Sequence, residues 1–366
     1  MTTIYDYLDW RGDLPFTTDP FNEVDNTILS LLAYVHYDGI NNIETTFQPL
    51  HQVRDEFYKL HTREEIAEVE TYNGVNARLL DKVCDTERFK DIKIGYYISY
   101  TDKDFVVQFS AVTFKLDDMI YISYRGTDNT FIGWKEDFHM TYMNEIPAQK
   151  HALTYLEDFF KQHPKQKVLI AGHSKGGNLA VFAASQIQPE LQEKISAVYT
   201  YDAPGLQAHL TETTGYQDVI PKFHRYVPQG SVIGMMLEVP DTPIVVKSTA
   251  LGGIAQHNTF SWLTEGHHFV QLEEISSESL QIKDALKEWV DSVPDEELEL
   301  YFDLFFGTIL ESGITSINDL SSRNAIDHVR QLVSQAQTLE PDQVEILKNL
   351  TQLLLDARFQ AWKNHF

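Results

Sequence analysis

Gly172-His173-Ser174-Lys175-Gly176 places a serine between small residues, directly after the apolar run Val168-Leu169-Ile170-Ala171 and before the helical pattern Asn178-Leu179-Ala180-Val181. Strand, tight turn and helix in that order lift a serine hydroxyl clear of a sheet edge and turn the helix N-terminus toward it. Ser174 is therefore the candidate nucleophile. The unpaired N–H of Lys175, at the start of the helix, is positioned to stabilise an oxyanion. A G-x-S-x-G pattern also occurs by chance in a chain with eighteen glycines, so its weight comes from the strand and helix around it.

A serine nucleophile needs an imidazole to take its proton and a carboxylate to orient that imidazole. Among the downstream histidines the candidates for the base are His257, His267 and His268, with His224 less favoured. His257 follows the flexible Gly252-Gly253 pair and is the expected base, whereas His173 is expected to be structural. Asp202, in Tyr201-Asp202-Ala203-Pro204-Gly205, ends the strand after the elbow helix and is the expected acid, with Asp241 in reserve. The alternative use of Asp202 is an Asx-turn before a proline. The chain order Ser, Asp, His is that of the elbow-type hydrolases.

The elements that must position these groups are legible in outline. Helical spacing marks Ile28, Leu29, Leu31, Leu32 and Val35, and a second helix from Glu64 to Val83. Strand composition marks Ile94–Tyr100, Phe105–Phe114 and Met119–Tyr124, then Ala197–Tyr201, Phe223–Val227 and Ile244–Lys247. A helix from about Ala148 to Gln162 leads into the elbow strand. Strands alternating with helices imply a mostly parallel sheet flanked by helices, with Thr127, Ser174 and Asp202 all at the carboxyl edge. The run Ile233-Gly234-Met235-Met236-Leu237 reads as core in preference to a mobile flap. From Ser276 the pattern is helical, with Val344, Leu347, Leu350 and Leu354 forming one stripe. The expected division is a hydrolase domain over 1–275 and a helical C-terminal subdomain or cap over 276–366.

Tyr124-Arg125-Gly126-Thr127, Trp134, Asp137 and Gly172-His173-Ser174-Lys175-Gly176-Gly177 together resemble the class 3, fungal-type triacylglycerol lipases of the α/β-hydrolase fold. The likeness spans roughly 110–262. The opening Asp6-Tyr7-Leu8-Asp9-Trp10-Arg11-Gly12-Asp13, with Tyr201–Gly205 and Gln256-His257-Asn258, also resembles an uncharacterised lipase-like family of Gram-positive bacteria. The first resemblance implies an α/β-hydrolase fold, a lipid-like ester substrate, and Thr127 and Lys175 as the oxyanion donors. Arg125 is expected to be a structural ion pair or carbonyl anchor.

Two positions depart from the lipase pattern. Lys175 replaces the usual leucine, and its side chain either recognises an anionic substrate group or points into water. In Pro228-Gln229-Gly230-Ser231-Val232-Ile233-Gly234, Ser231 stands where the lipases carry their acid and cannot orient a histidine electrostatically.

Composition sets the outer bounds. The chain has 366 residues, 43% apolar and 12% aromatic, enough for a substantial core. A net charge of -25 argues against nucleic acid or an anionic membrane as partner. The single Cys84 forms no internal disulfide, fits a reducing compartment and reads as a small buried hydrophobe. No signal peptide and no membrane span is evident, which leads to the expectation of a cytoplasmic bacterial protein without stable membrane insertion. The expected function is a serine esterase or lipase-like hydrolase working through an acyl-enzyme on a small-molecule or lipid-like ester, without metal or cofactor. The rival expectation is an inactive hydrolase scaffold used for binding. Oligomeric state is not legible.

Overall fold

Five parallel strands carry the carboxyl edge on which the candidate residues converge. In the computed structural model, residues 2–68, 72–128, 130–239, 242–251 and 253–312 are described, with scattered positions between 334 and 348. The sheet has nine strands in the order β1 (Gln48–Pro49), β2 (Lys93–Asp102), β3 (Val107–Leu116), β4 (Met119–Tyr124), β5 (Val168–His173), β6 (Ile195–Tyr201), β7 (Phe223–Pro228) and β8 (Ile244–Val246), closed by Gln271–Leu272. Strands β4 to β8 are parallel, while β1 to β3 and Gln271–Leu272 add antiparallel edges.

Strand order follows chain order without reversal. Right-handed crossovers that always step in one direction must lay their helices on one face of the sheet. Accordingly Ala152 and Leu156 of helix Pro147–Gln162, Leu179 and Ala183 of helix Lys175–Gln186, and Tyr216 of helix Thr214–Val219 share a core with Ile120, Ile122 and Ile170. The opposite face, bearing Tyr121, Ala171, Tyr201 and Tyr226, is covered by the N-terminal helices through Ile4, Ile28, Leu32 and Leu80. The period-two alternation of each strand thus feeds two separate apolar layers.

Those N-terminal helices are pinned by charge as well as by packing. The fully buried Arg88 guanidinium pairs with the equally buried Asp25, 2.5 Å away, and donates to the carbonyls of Leu14, Asp19 and Pro20. Tyr7 donates to the same aspartate at 2.8 Å.

Several expected boundaries shift for local reasons. The second expected helix is two, Arg63–Glu68 and Tyr72–Cys84. Strand β3 begins at Val107 and not at Phe105, because the Asp102 carboxylate accepts the backbone N–H groups of Asp104 and Phe105 and holds them in a turn. Cys84 is partly buried, and burial pushes its thiol up to about 12.

After the sheet, Ser276 caps helix Ser277–Ser292 by accepting the Ser279 N–H, and helix Asp295–Glu311 opens with three acidic residues in its first turn. Trp289, Leu298, Phe302 and Phe306 from this pair pack with Phe131 and Phe138 of helix Phe131–His139; the Phe138 and Phe302 rings stack at 4.7 Å. The C-terminal helices therefore rest on the segment that follows Arg125-Gly126-Thr127. Of the stripe expected further on, Leu347, Leu350 and Leu354 lie outside the described residues.

Candidate active site

The register of the parallel strands sets the site. Tyr124 pairs with Gly172 and Gly172 with Thr200, so the ends of β4, β5 and β6 lie side by side. Arg125-Gly126-Thr127, Ser174 and Asp202 follow from those ends. A Cβ added at Gly126 would run into the Tyr34 hydroxyl and the His173 carbonyl and would come within 3.0 Å of the Ser174 Cβ, so the first two segments are in direct contact.

Ser174 itself is strained, with φ 58° and ψ -137°. The strain is held by close backbone contacts. An added Cβ would strike the Gly176 carbonyl from Gly172 and the Tyr124 carbonyl from Gly176, leaving no room for any side chain at either glycine. The Ser174 N–H donates to the Tyr201 carbonyl at 3.0 Å, tying the turn to the strand that delivers Asp202.

Asp202 also has a left-handed φ, 46°, and is fully buried. Its Oδ2 lies 2.7 Å from Nδ1 of His257, while Oδ1 accepts from the Ser231 hydroxyl at 2.5 Å and from the Gly234 N–H at 3.2 Å. Burial pushes the carboxyl up, but His257 and Ser231 outweigh it and leave Asp202 below its ordinary value. An ionised acid on Nδ1 leaves Nε2 of His257 to exchange a proton. The His257 side chain is 23% exposed, so one side of it faces out.

The loop carrying His257 is fastened from several directions. His173 Nε2 meets the His257 carbonyl at 2.9 Å, and the two rings lie 4.4 Å apart. Gln256 accepts the Gly230 N–H at 2.8 Å, and the indole of the fully buried Trp262 donates to the Gln256 carbonyl at 2.8 Å. Burial drives His173 down to about 3, so its ring is neutral, and its other nitrogen is 2.9 Å from the Tyr34 hydroxyl. Sequence reasoning names His173 only as structural and misses Tyr34, Gln256 and Trp262 as supports, since nothing in their local pattern shows what they touch.

The other histidines lie elsewhere. His267 contacts Arg11 at 3.3 Å, His268 sits 3.8 Å from Glu23, and His224 stacks on Tyr199 at 4.5 Å. Asp241 lies outside the described residues.

Lys175 is where expectation and structure part. Its side chain neither points into water nor offers itself to a ligand: it is 1% exposed, with Nζ donating to Glu136 at 2.9 Å and to the Gln108 carbonyl at 3.1 Å, and 3.6 Å from Asp137. The physical reason is that the fully buried Glu136 and the partly buried Asp137, adjacent on helix Phe131–His139, face the elbow and offer the cation partners in place of water. Asp137 accepts the Thr127 hydroxyl at 2.7 Å and 2.6 Å; burial raises its carboxyl to about 6 against the opposing pull of Lys175 and Thr127. Arg125 is buried as well, its N–H donating to the Ser110 carbonyl at 2.9 Å. Burial raises the neighbouring Asp128 carboxyl, and the Arg125 charge helps to bring it below its ordinary value.

The segments after β6 and β7 and helix Ser277–Ser292 line a largely apolar cavity of about 140 Å3, with Leu206, Met235, Leu237, Leu286, Trp289 and Val290 in its wall and none of Ser174, Asp202 and His257. Met235 is also packed on Val227 and Val245, as a core residue, whereas Ile233, Met236 and Leu237 are only partly buried. Among the described residues no group of three or more His, Cys, Asp or Glu side chains is placed to hold a metal ion, and no helix is long and apolar enough to cross a membrane.

A sequential parallel sheet flanked by helices, with a strained serine between strand and helix, defines the α/β-hydrolase fold. The family follows from the chain itself: residues 83–307, more than half of it, match the Mbeg1-like family, and the protein belongs to that family. Similar solved structures include the Rhizomucor miehei lipase propeptide complex, 17% identical over 62% of this chain and 68% of that chain, with a TM-score of 0.36. The lipase from Rhizopus microsporus var. chinensis is 16% identical over 70% of this chain and 96% of that chain, also at 0.36. No protein with a curated description matches the chain.

Proposed function

We propose that the protein is a serine hydrolase that cleaves a carboxylic ester through an acyl-enzyme. Ser174 attacks the carbonyl, His257 takes the serine proton and returns it to the leaving alcohol, and Asp202 holds His257 in the required tautomer. The backbone N–H groups of Thr127 and Lys175 receive the oxyanion. Water, activated by His257, then releases the acid. The observation that carries this reading is the 2.7 Å contact between Asp202 and His257, beside a serine held at φ 58°. The apolar cavity beside helix Ser277–Ser292 suits an acyl chain; residues 276–366 are read as a helical C-terminal subdomain or cap. A bacterial, cytoplasmic setting belongs to the same reading.

The competing reading, an inactive binding scaffold, draws on the serine at position 231. That serine donates to Asp202, which supports the enzyme instead. The test is covalent labelling of purified protein with a fluorophosphonate, read by intact mass beside Ser174→Ala. One adduct per chain, lost in the variant, supports the hydrolase; an unlabelled wild type that also fails to turn over short-chain p-nitrophenyl esters overturns it.

A further inference from the structure

The two residues whose N–H groups face the proposed oxyanion come from distant parts of the chain, yet both side chains end on one helix. Thr127 donates its hydroxyl to Asp137, and Lys175 donates its ammonium to the adjacent Glu136. Glu136 is fully buried and fully committed. Its Oε2 accepts the Gln108 N–H at 3.0 Å as well as Lys175, and its Oε1 accepts the Ala148 N–H at 3.0 Å. Gln108 extends the frame, accepting the Asp128 N–H at 3.2 Å and donating to Thr130 at 3.0 Å. Helix Phe131–His139 therefore contacts the elbow, β3 and the turn after β4, and its two adjacent carboxylates hold the side chains of both donor residues.

We propose that the Lys175 side chain is a positioning group, which through Glu136 sets the separation and direction of the Thr127 and Lys175 N–H donors. This rests on the hydrolase reading above. A leucine at this position can wall a pocket but cannot reach a carboxylate, so here a buried ion pair does what apolar packing would otherwise do. Misplacing a donor weakens binding of the charge that develops in the transition state and leaves ground-state binding almost untouched. The signature is thus a fall in kcat at nearly constant KM. An ion pair serving folding alone would lower the amount of folded enzyme and leave kcat per active site unchanged.

The experiment compares wild type with Lys175→Met/Glu136→Gln, a pair close in shape that removes both charges of the buried ion pair and leaves Asp137 its hydrogen bond from Thr127. Active sites are counted by fluorophosphonate titration, and p-nitrophenyl butyrate supplies kcat and KM. The expected result is a fall in kcat on the order of 100-fold, the cost of a misplaced catalytic group, with KM within about threefold. A double variant with wild-type kcat per titrated site, or one whose loss lies in KM, overturns the proposal. Should the double variant fail to fold, Glu136→Gln alone decides: a kcat reduced severalfold at unchanged KM supports the assignment and an unchanged kcat overturns it. Failure of the wild type to react with either reagent overturns the hydrolase reading itself, an outcome distinct from all of these.

Discussion

Ser231 donates its hydroxyl to the Asp202 carboxylate at 2.5 Å, on the oxygen opposite the one that meets His257. The side chain at position 231 thus contributes a hydrogen bond to a carboxylate supplied by the preceding strand. Asp202→Asn keeps the shape but loses the charge and favours the wrong imidazole tautomer, so kcat should fall by about 10,000-fold, the loss seen when a triad acid is converted to its amide. Ser231→Ala should cost far less, about tenfold, since the charge remains. Hydrolysis of a p-nitrophenyl ester by the two variants checks both, and the order of the two losses is the decisive result.

His173 should matter without touching substrate. Its neutral ring holds the His257 carbonyl, and His173→Phe would leave that carbonyl without its partner, at a cost of about 1–3 kcal/mol in stability. Thermal unfolding should show the loss. Fluorophosphonate labelling of the folded fraction should slow as the His257 loop loosens, whereas an unchanged labelling rate would separate the loop from the chemistry.

The acid beside Thr127 gives a pH dependence whose sign is set. Burial raises the Asp137 carboxyl to about 6, above its ordinary 3.8, with Lys175, Glu136 and Thr127 as its neighbours. The folded state thus binds this proton more tightly than the unfolded one, so the contribution to stability is complete below about 3.8 and is lost as pH rises through about 6. Wild type should therefore lose stability relative to Asp137→Asn between about pH 4 and 6.5, and the difference should level off above that. Melting temperatures of both proteins across this range provide the check; a difference that does not change with pH would contradict it.

Arg88 tests the covering layer. Replacing it by Met strands the buried Asp25 carboxylate and should destabilise the fold by about 3–5 kcal/mol, the usual cost of removing one member of a buried pair. Chemical denaturation should register this as a lower midpoint with kcat per titrated site preserved. A loss of kcat in excess of the loss of fold would mean that the N-terminal helices also shape the site.

Where local chemistry dominates, much was legible in the chain. A β-branched run, a serine between glycines and a helical stripe describe the elbow, because the steric exclusion at Gly172 comes from Gly176 and Gly177, a few residues on in the chain. Strand composition located β2 to β8 to within a few residues. Asp102 shifted one boundary through hydrogen bonds that composition does not reveal.

What the sequence by itself determined is the inventory: a serine on a tight turn, an aspartate and a histidine downstream, alternating strands and helices, and a helical pattern from Ser276 that opens in two helices, Ser277–Ser292 and Asp295–Glu311. Which acid meets which base was decided only by the tertiary structure. The register of β5 to β8 brings Asp202, Ser231 and the His257 loop to one edge, and that register depends on contacts across dozens of residues. The direction of Lys175 was decided in the same way. Its outcome turns on whether a carboxylate from another helix lies within reach, because an ammonium is tolerated in the interior only where an ion pair and hydrogen bonds, here from Glu136 and the Gln108 carbonyl, replace its water.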